Sequence, residues 1–225
     1  MYSKFLLLFL GTCLLVQSSF GKALPPSKES EETVEAAETE DEVEPSDGLL
    51  FYVLSQLAII SESALDPGKK LLQDVIAEIS ALEDKNEEIT ARLEEYSNLL
   101  AKMEKLEAEN NSDEYIVKME LMVELSDLLD KSNLTLIEEP TSTDKLFEES
   151  LQKNGLSDLE QLLEQKFEEV FAEEFYETVD KILKSATIEE WPEKTEIHDW
   201  LESFKMENNF EKKSELLEKF FDFYQ

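Results

Sequence analysis

Cysteine is almost absent: Cys13 is the only one among 225 residues, and it lies in the apolar N-terminal segment. The rest of the chain therefore has no thiol, which excludes thiol catalysis, thiolate metal sites and a scaffold held by disulfides. The fold has to be held by packing alone, and a chain of about 200 residues can bury a core large enough for that.

Residue types that carry catalysis are equally scarce. His198 is the only histidine, and it is flanked by acids that include Asp199 and Glu202 but belongs to no His-Glu-x-x-His or Glu-x-x-His pattern. The sequence also contains no Gly-x-Ser-x-Gly elbow, phosphate-binding glycine loop or dinucleotide fingerprint. We therefore predict no enzyme activity, no cofactor and no metal site, with His198 an ordinary exposed helical residue.

Positive charge is also in short supply, because 21 lysines and arginines face 54 acids and give a net charge of −33. Such a chain is repelled by nucleic acid and by anionic lipid head groups. The charge favours solubility and a protein partner with a basic surface.

Only one long apolar run occurs, from Phe5 to Val16, with Lys4 before it and small residues at Ser19 and Gly21. This layout is typical of a secretory signal peptide, and the run is shorter than the ~20 residues that cross a bilayer. We predict a signal peptide over residues 1–21, with a cut after Ala23 as the alternative. The product is then expected to be secreted and extracellular, with no membrane span.

Residues 22–47 form an acidic segment, because ten acids and no base occur between Glu29 and Asp47. A segment with so few apolar side chains cannot offset the entropy cost of ordering, so we predict disorder. It is interpreted as a solubilising tail, with an arm for a basic partner or a propeptide as alternatives.

The clearest pattern runs from Pro67 to Glu109, where apolar residues follow a heptad spacing that predicts one coiled-coil-like helix. Positions a and d are occupied by Leu72, Val75, Ile79, Leu82, Asn86, Ile89, Leu93, Tyr96, Leu100 and Met103. We predict that Asp66-Pro67-Gly68 separates this helix from a preceding one over Gly48–Leu65, and that a third follows over Asp113–Lys131. Both flanking helices are expected to fold back antiparallel onto the long one, and together the three make up the region 48–139.

Asn86 is the only polar residue on that seam. A polar residue at one a position typically fixes register and partner number in a coiled coil. We interpret Asn86 as the register residue of an intramolecular core, with a partner-facing seam as the alternative. The protein is accordingly expected to be a monomer or an antiparallel homo-oligomer.

The remainder, residues 140–225, is rich in aromatic residues, since nine of the 13 phenylalanines and both tryptophans lie from Phe147 onward. Helical periodicity there predicts a helical bundle, and Pro140 lies in the linker that joins it to the first region. The fold class is therefore all-α, either as two subdomains or as two layers of one bundle. Because helical bundles can hold apolar molecules, an extracellular carrier of an apolar ligand is the alternative function.

Two N-glycosylation sequons fit a secreted protein. They place candidate glycans at Asn110 and Asn133, both between helical patterns.

With its signal peptide, its cysteine-free remainder, the acidic Glu29–Asp47 segment and the Leu72–Met103 heptads, the chain resembles acidic helical salivary proteins of blood-feeding insects. The resemblance is one of layout and carries no motif. It implies a secreted, non-enzymatic factor in saliva that binds host proteins or cells and alters clotting or immune responses.

Overall fold

The computed structural model describes residues 45–108, 114–187 and 191–224. The predicted signal peptide, the acidic segment up to residue 44 and the sequon at Asn110 lie outside the described residues. Within them the protein is all-helical and contains no strand, which confirms the predicted fold class. The helices are α1 Pro45–Ser80, α2 Glu87–Ala108, α3 Glu114–Asp130, α4 Ser142–Lys153, α5 Leu156–Val170, α6 Glu173–Ser185, α7 Lys194–Met206 and α8 Phe210–Phe221, followed by a 3-10 turn at Asp222–Tyr224.

Helix α1 is the centre of the fold, and it passes straight through the predicted break at Asp66-Pro67-Gly68. The last residues of the acidic segment, from Pro45 to Asp47, also belong to this helix. The break was predicted from local propensity, but the buried stripe stays in phase across it, from Leu57 through Ala64 to Leu71. Gly68 is buried against α3, and a Cβ there would lie 2.6 Å from Cδ2 of Leu125. Close packing therefore outweighs the cost of proline and glycine inside a helix.

The predicted long helix from Pro67 to Glu109 is wrong, because the chain turns between Ser80 and Glu87. The Nζ of Lys85 donates hydrogen bonds to the carbonyl oxygens of Ser80 (2.7 Å) and Leu82 (2.6 Å), which satisfies the end of α1. Residues 83–88 contain no apolar side chain, so this stretch has nothing to bury and a turn costs little.

The two halves of the heptad pattern instead pack against each other as an antiparallel pair. Buried α1 residues Val75 and Ile79 and buried α2 residues Tyr96 and Met103 belong to the same hydrophobic core. Helix α3 completes a three-helix layer: it runs antiparallel to α2 and parallel to α1. The ion pairs Lys102–Glu124 and Lys131–Glu95 link α2 to α3, and Lys118–Glu62 links α3 to α1.

The aromatic-rich helices form a second layer on α1 rather than a separate unit. Helix α1 contacts α2, α3, α4, α5 and α6, and a single hydrophobic core includes residues from both predicted regions, 48–139 and 140–225. The Tyr52 ring of α1 stacks on Phe175 of α6, and the hydroxyl of Tyr224 donates to the carbonyl oxygen of Ser46 (3.1 Å). The linker at Pro140 therefore joins two layers of one bundle.

One window of α1 has the length and composition to cross a membrane, with a mean hydropathy of 1.5 over 18 residues. Only 39% of that window is buried. Five other helices pack on α1, and its buried apolar residues belong to the core of this bundle.

Candidate interaction surface

Asn86, the predicted register residue, lies at the start of α2 rather than on a coiled-coil seam. Its side-chain Oδ1 accepts a hydrogen bond from the backbone N–H of Ile89 (2.8 Å), and its carbonyl accepts one from Thr90 (3.1 Å). The residue is exposed. Asn86 is therefore a helix N-cap, a role for which asparagine is among the best residues, and none of the other helices that the structure describes covers it.

Two largely exposed segments lie together at this end of the bundle: residues 81–88, which comprise the connection from α1 and the first residues of α2, and residues 133–141, which lie between α3 and α4. We call them the acidic loop pair. The carboxylates that they carry are Glu83, Asp84, Glu87, Glu88, Glu138 and Glu139, and Lys85 is their only cation. Two leucines are also exposed there, Leu82 by 37% and Leu136 by 56%. Apolar side chains within an acidic frame are the features expected of a surface that binds a basic partner.

Long-range hydrogen bonds hold the two loops in place. Glu88 accepts from the hydroxyl of Thr141 (3.1 Å) and from that of Thr143 (2.9 Å), so the start of α2 is tied to the start of α4. Thr141 is also the N-cap of α4 and forms a capping box with Asp144. The loops therefore have a defined backbone, which lowers the entropy cost of binding a partner.

Arg92, on α2, also helps to hold the start of α2 against the start of α4. Its Nη1 lies 2.8 Å from Oδ1 of Asp144, and its guanidinium carbon lies 5.5 Å from the centre of the Phe147 ring. Burial opposes ionisation of Asp144, but hydrogen bonds from Thr141 and Arg92 outweigh it and lower the pKa of the carboxyl group. Asp144 therefore stays ionised at neutral pH, and its contact with Arg92 joins α2 to α4.

In this part of the bundle, the hydroxyl groups of Tyr96 and Ser132 form the pair that most resembles a serine nucleophile beside a base. Their oxygens lie 3.1 Å apart, and burial raises the pKa of Tyr96 to about 12. A phenol with such a pKa does not act as a base at neutral pH, so it cannot activate the serine. The contact instead satisfies two buried polar groups.

The surface between α2 and α3 contains a second group of charges. Burial raises the pKa of Asp127, and burial together with the charge of Asp127 raises the pKa of Asp130 to about 6. Oδ2 of Asp130 is buried without a hydrogen-bond partner. These two carboxylates lie in the last turn of α3, where the helix dipole also disfavours negative charge.

The aromatic-rich layer is filled by its own side chains. Phe204 is fully buried, and its ring centre lies 5.2 Å from that of Trp200, 5.4 Å from that of Phe171 and 6.0 Å from that of Phe175. A groove of about 410 Å³ between α5 and α8 is lined mainly by polar residues that include Glu160, Gln161, Glu164, Asn208, Asn209 and Glu211. Within the described residues this layer therefore packs as core, and the carrier of an apolar ligand stays a prediction.

His198 lies exposed on α7, with its Nδ1 3.9 Å from Oδ1 of Asp199. Across residues 45–108, 114–187 and 191–224, no group of three or more histidine, cysteine, aspartate or glutamate side chains is arranged to hold a metal ion. The candidate glycan site at Asn133 is buried, with 4% of the residue exposed, and its Oδ1 accepts from the backbone N–H of Thr135. A glycan there would displace packed neighbours, so the buried position argues against the predicted modification.

The described residues form an all-helical bundle of two layers that pack on one long helix, α1. No family model, curated protein or solved structure matches this chain.

The sequence analysis did not predict the acidic loop pair, although the sequence contains two local signals for it. The stretch Glu83–Glu88 has no apolar residue and contains a capping asparagine, and Thr141-Ser142-Thr143-Asp144 is a capping-box pattern. Neither signal shows that the two loops meet, since they are more than 50 residues apart in the chain.

Proposed function

We propose that the protein is secreted, is not an enzyme, and acts by binding an extracellular protein partner with a basic surface through the acidic loop pair. The observation that carries this proposal is the exposure of Leu82 and Leu136 within loops that hold six carboxylates and one lysine. Exposed apolar side chains that are framed by charge of one sign favour a partner of opposite charge.

The bonding within the loops supports this proposal. Lys85 donates to two backbone carbonyls, so its charge is directed at the end of α1. Glu88 is engaged by two threonines. The exposed carboxylates of Glu83, Glu138 and Glu139 thus lie on a backbone that hydrogen bonds hold in place. Such fixed carboxylates favour binding of lysine- or arginine-rich protein surfaces over binding of small ions.

The proposal also covers where the protein acts and which class of partner it meets there. The N-terminal signal pattern favours secretion, and the resemblance to insect salivary proteins extends the proposal to host blood or immune proteins as partners. A basic patch on such a protein is the feature that the loop pair would recognise, since complementary charge accelerates encounter and sets orientation.

The test is a binding titration of the purified chain against basic extracellular proteins, starting with proteins captured from host plasma and identified by mass spectrometry. The loop variant combines Glu83→Gln, Asp84→Asn, Glu138→Gln and Glu139→Gln, which removes four charges. We expect its affinity to fall at least about tenfold at physiological salt, because rim charges contribute additively to encounter.

The matched control removes four exposed carboxylates from α5 and α6, with Glu164, Glu168, Glu174 and Glu177 changed to glutamine. It has the same net charge as the loop variant, so it should keep an affinity close to that of the unchanged chain. Equal losses for both variants would mean that only overall charge matters and would rule out the loop pair as the site. Changing Leu136 to serine separates the apolar contribution, because it leaves the charge unaltered.

A further inference from the structure

A chemically labile pair of residues lies at the corner between α4 and α5. Asn154-Gly155 is the only Asn-Gly step in the sequence. Asn154 caps the end of α4, and Gly155, with a φ of 107°, caps the start of α5. Asparagine is among the thermolabile residues, and a following glycine has no Cβ to shield its own backbone nitrogen from the asparagine side chain.

The reaction open to this pair is deamidation. The backbone nitrogen of Gly155 loses its proton and attacks Cγ of Asn154, which closes a five-membered succinimide ring, and the side-chain nitrogen leaves as ammonia. Water then opens the ring at one of its two carbonyl carbons. Cleavage of the bond between the Gly155 nitrogen and Cγ gives aspartate, and cleavage at the other carbonyl gives isoaspartate, whose main chain runs through Cβ. Water is the only co-reactant, and no oxidant or reductant is needed.

The closed bundle holds Asn154 away from the geometry that this reaction requires. To close the ring, Cβ of Asn154 and the nitrogen of Gly155 must eclipse each other about the bond between Cα and the carbonyl carbon. At the observed ψ of 9°, the backbone nitrogen of Asn154 occupies that eclipsed position instead. Because the substituents of a tetrahedral carbon are evenly spread, Cβ then lies on a different side of the bond and the ring cannot close.

Glu78, near the end of α1, helps to hold the side chain of Asn154 in this position. Nδ2 of Asn154 donates to Oε2 of Glu78 (2.6 Å) and to the carbonyl oxygen of Ser150 (2.8 Å). The same carboxylate accepts from the hydroxyl of Ser150 (2.9 Å) and from Nζ of Lys153. Hydrogen bonds from Lys153, Asn154 and Ser150 lower the pKa of Glu78, so it is ionised at neutral pH. We call these four residues the Glu78 clamp.

Deamidation turns the attraction within the Glu78 clamp into repulsion. It replaces the donor Nδ2 with a carboxylate oxygen, so two negative charges meet where Asn154 now bonds to Glu78 at 2.6 Å. Isoaspartate also lengthens the main chain at a corner where the next residue has a positive φ. The clamp therefore cannot close again once the residue is converted.

From this geometry we propose that Asn154 is a site of spontaneous, irreversible deamidation that the Glu78 clamp controls. The closed clamp protects the residue, and conversion releases the end of α4 from α1. Since the reaction proceeds only from the open form, its rate reports how often the corner between α4 and α5 opens. The chain thereby carries a built-in record of its age, and the converted form is a distinct, less firmly packed species.

Peptide mapping by mass spectrometry of the purified full chain during incubation at pH 8 tests this proposal. The reference is the same chain unfolded in guanidinium chloride, where no clamp exists. Asn154 should convert at least about tenfold more slowly in the folded chain, because the hydrogen bonds of the clamp must open first. Asn98, exposed on α2 and followed by leucine, is an internal control that should stay largely unconverted.

Removing the acceptor tests the role of the clamp. Glu78→Ala should raise the rate of conversion in the folded chain at least about threefold, toward that of the unfolded chain. The matched control is Asp74→Ala, which removes a carboxylate from the same helix, where its ion-pair partner is Lys70 of α1 itself. Phe221→Leu, a change in the buried aromatic layer, controls for lower global stability, and it should leave the rate well below that of Glu78→Ala.

The effect of conversion is tested separately with Asn154→Asp and Asn154→Ala. Both changes remove the hydrogen bond to Glu78, but only aspartate adds a charge opposite it. Asn154→Asp should therefore have the lower melting temperature at pH 7. In a Glu78→Ala background the difference should disappear, because the opposing carboxylate is gone.

The proposal is overturned if Asn154 converts as fast in the folded chain as in the unfolded one, or if the folded chain shows no conversion beyond that of Asn98. It is equally overturned if Glu78→Ala and Asp74→Ala convert at the same rate, or if Asn154→Asp is as stable as Asn154→Ala. None of these measurements involves a partner, so the proposed function can fail or hold independently.

Discussion

Replacing Pro67 by alanine should stabilise the protein, although proline usually rigidifies a chain. Pro67 lies inside the 36-residue helix α1. Its ring has no N–H to donate to the carbonyl oxygen of Ser63, one turn before it, and the ring crowds that carbonyl. Alanine would restore the missing hydrogen bond and remove the crowding.

The expected gain is about 1–3 kcal/mol. Proline inside a helix costs about 3 kcal/mol relative to alanine, and this sets the upper limit. Some of the gain is lost, because proline also restricts the unfolded chain by about 0.4–1 kcal/mol and its half-buried ring contributes packing. For a chain of this size about 2–4 °C in melting temperature corresponds to each kcal/mol, so a rise of roughly 2–12 °C is expected.

Thermal unfolding followed by circular dichroism at 222 nm measures this shift, with urea titration as a second probe. The control is Pro140→Ala, since Pro140 lies in the connection between α3 and α4, where proline is compatible with the backbone. That change should be neutral or slightly destabilising. If Pro67→Ala left the melting temperature unchanged or lowered it, the continuity of α1 through residue 67 would be refuted, because a proline in a first helical turn costs nothing.

Three further changes test the cap, the charged end of α3 and the aromatic layer. Asn86→Leu should destabilise the protein by about 0.5–2 kcal/mol in urea, because it removes the cap of α2; a gain in stability would instead place residue 86 on a buried seam. The pKa of Asp130 is raised to about 6 in the folded state, so stability gained from its protonation is lost as the pH rises from about 4 to 7. Asp130→Asn should therefore stabilise the protein by about 1–2 kcal/mol at pH 7, after discounting for its half-exposed position, and the difference from the unchanged chain should vanish at pH 4. Phe204→Ala should cost about 3–5 kcal/mol, because this fully buried ring contacts rings from α5, α6 and α7; a loss below 1 kcal/mol would contradict the packed aromatic layer.

The sequence predicted which residues face the core better than it predicted where helices end. Val75, Ile79, Tyr96 and Met103 were placed on one apolar seam, and all of them are buried. The seam nevertheless belongs to two helices, because apolar periodicity reports which face is covered and carries little information about what covers it.

Both misplaced boundaries have the same physical origin. Local propensity assigned a break to Pro67-Gly68, and the heptad spacing assigned helix to residues 83–88, which hold four acids and one lysine. Tertiary packing reversed both, since Gly68 is buried directly against Leu125, where a Cβ would lie 2.6 Å from Cδ2, and residues 83–88 have no apolar side chain to bury. The neighbouring N-cap at Asn86 could have been recognised, but the heptad register competed with it and was preferred.

The candidate site was beyond local analysis for a different reason. The two loops are joined by Glu88, which reaches 53 residues along the chain to Thr141 and 55 residues to Thr143. Contacts of this separation follow from how the layers pack, and a single sequence does not determine that packing.

The central position of α1 has a consequence for the order of events on the ribosome. Among the described helices α1 is synthesised first, yet α6, the last of the five helices that pack extensively on it, ends at Ser185, about 105 residues after α1 is complete. At translation speeds of about 5–20 residues per second, roughly 5–20 s pass between the completion of α1 and that of these five helices. During that interval its apolar side chains are exposed to the surroundings of the nascent chain, so slowed elongation between codons 80 and 185 should increase its capture by chaperones.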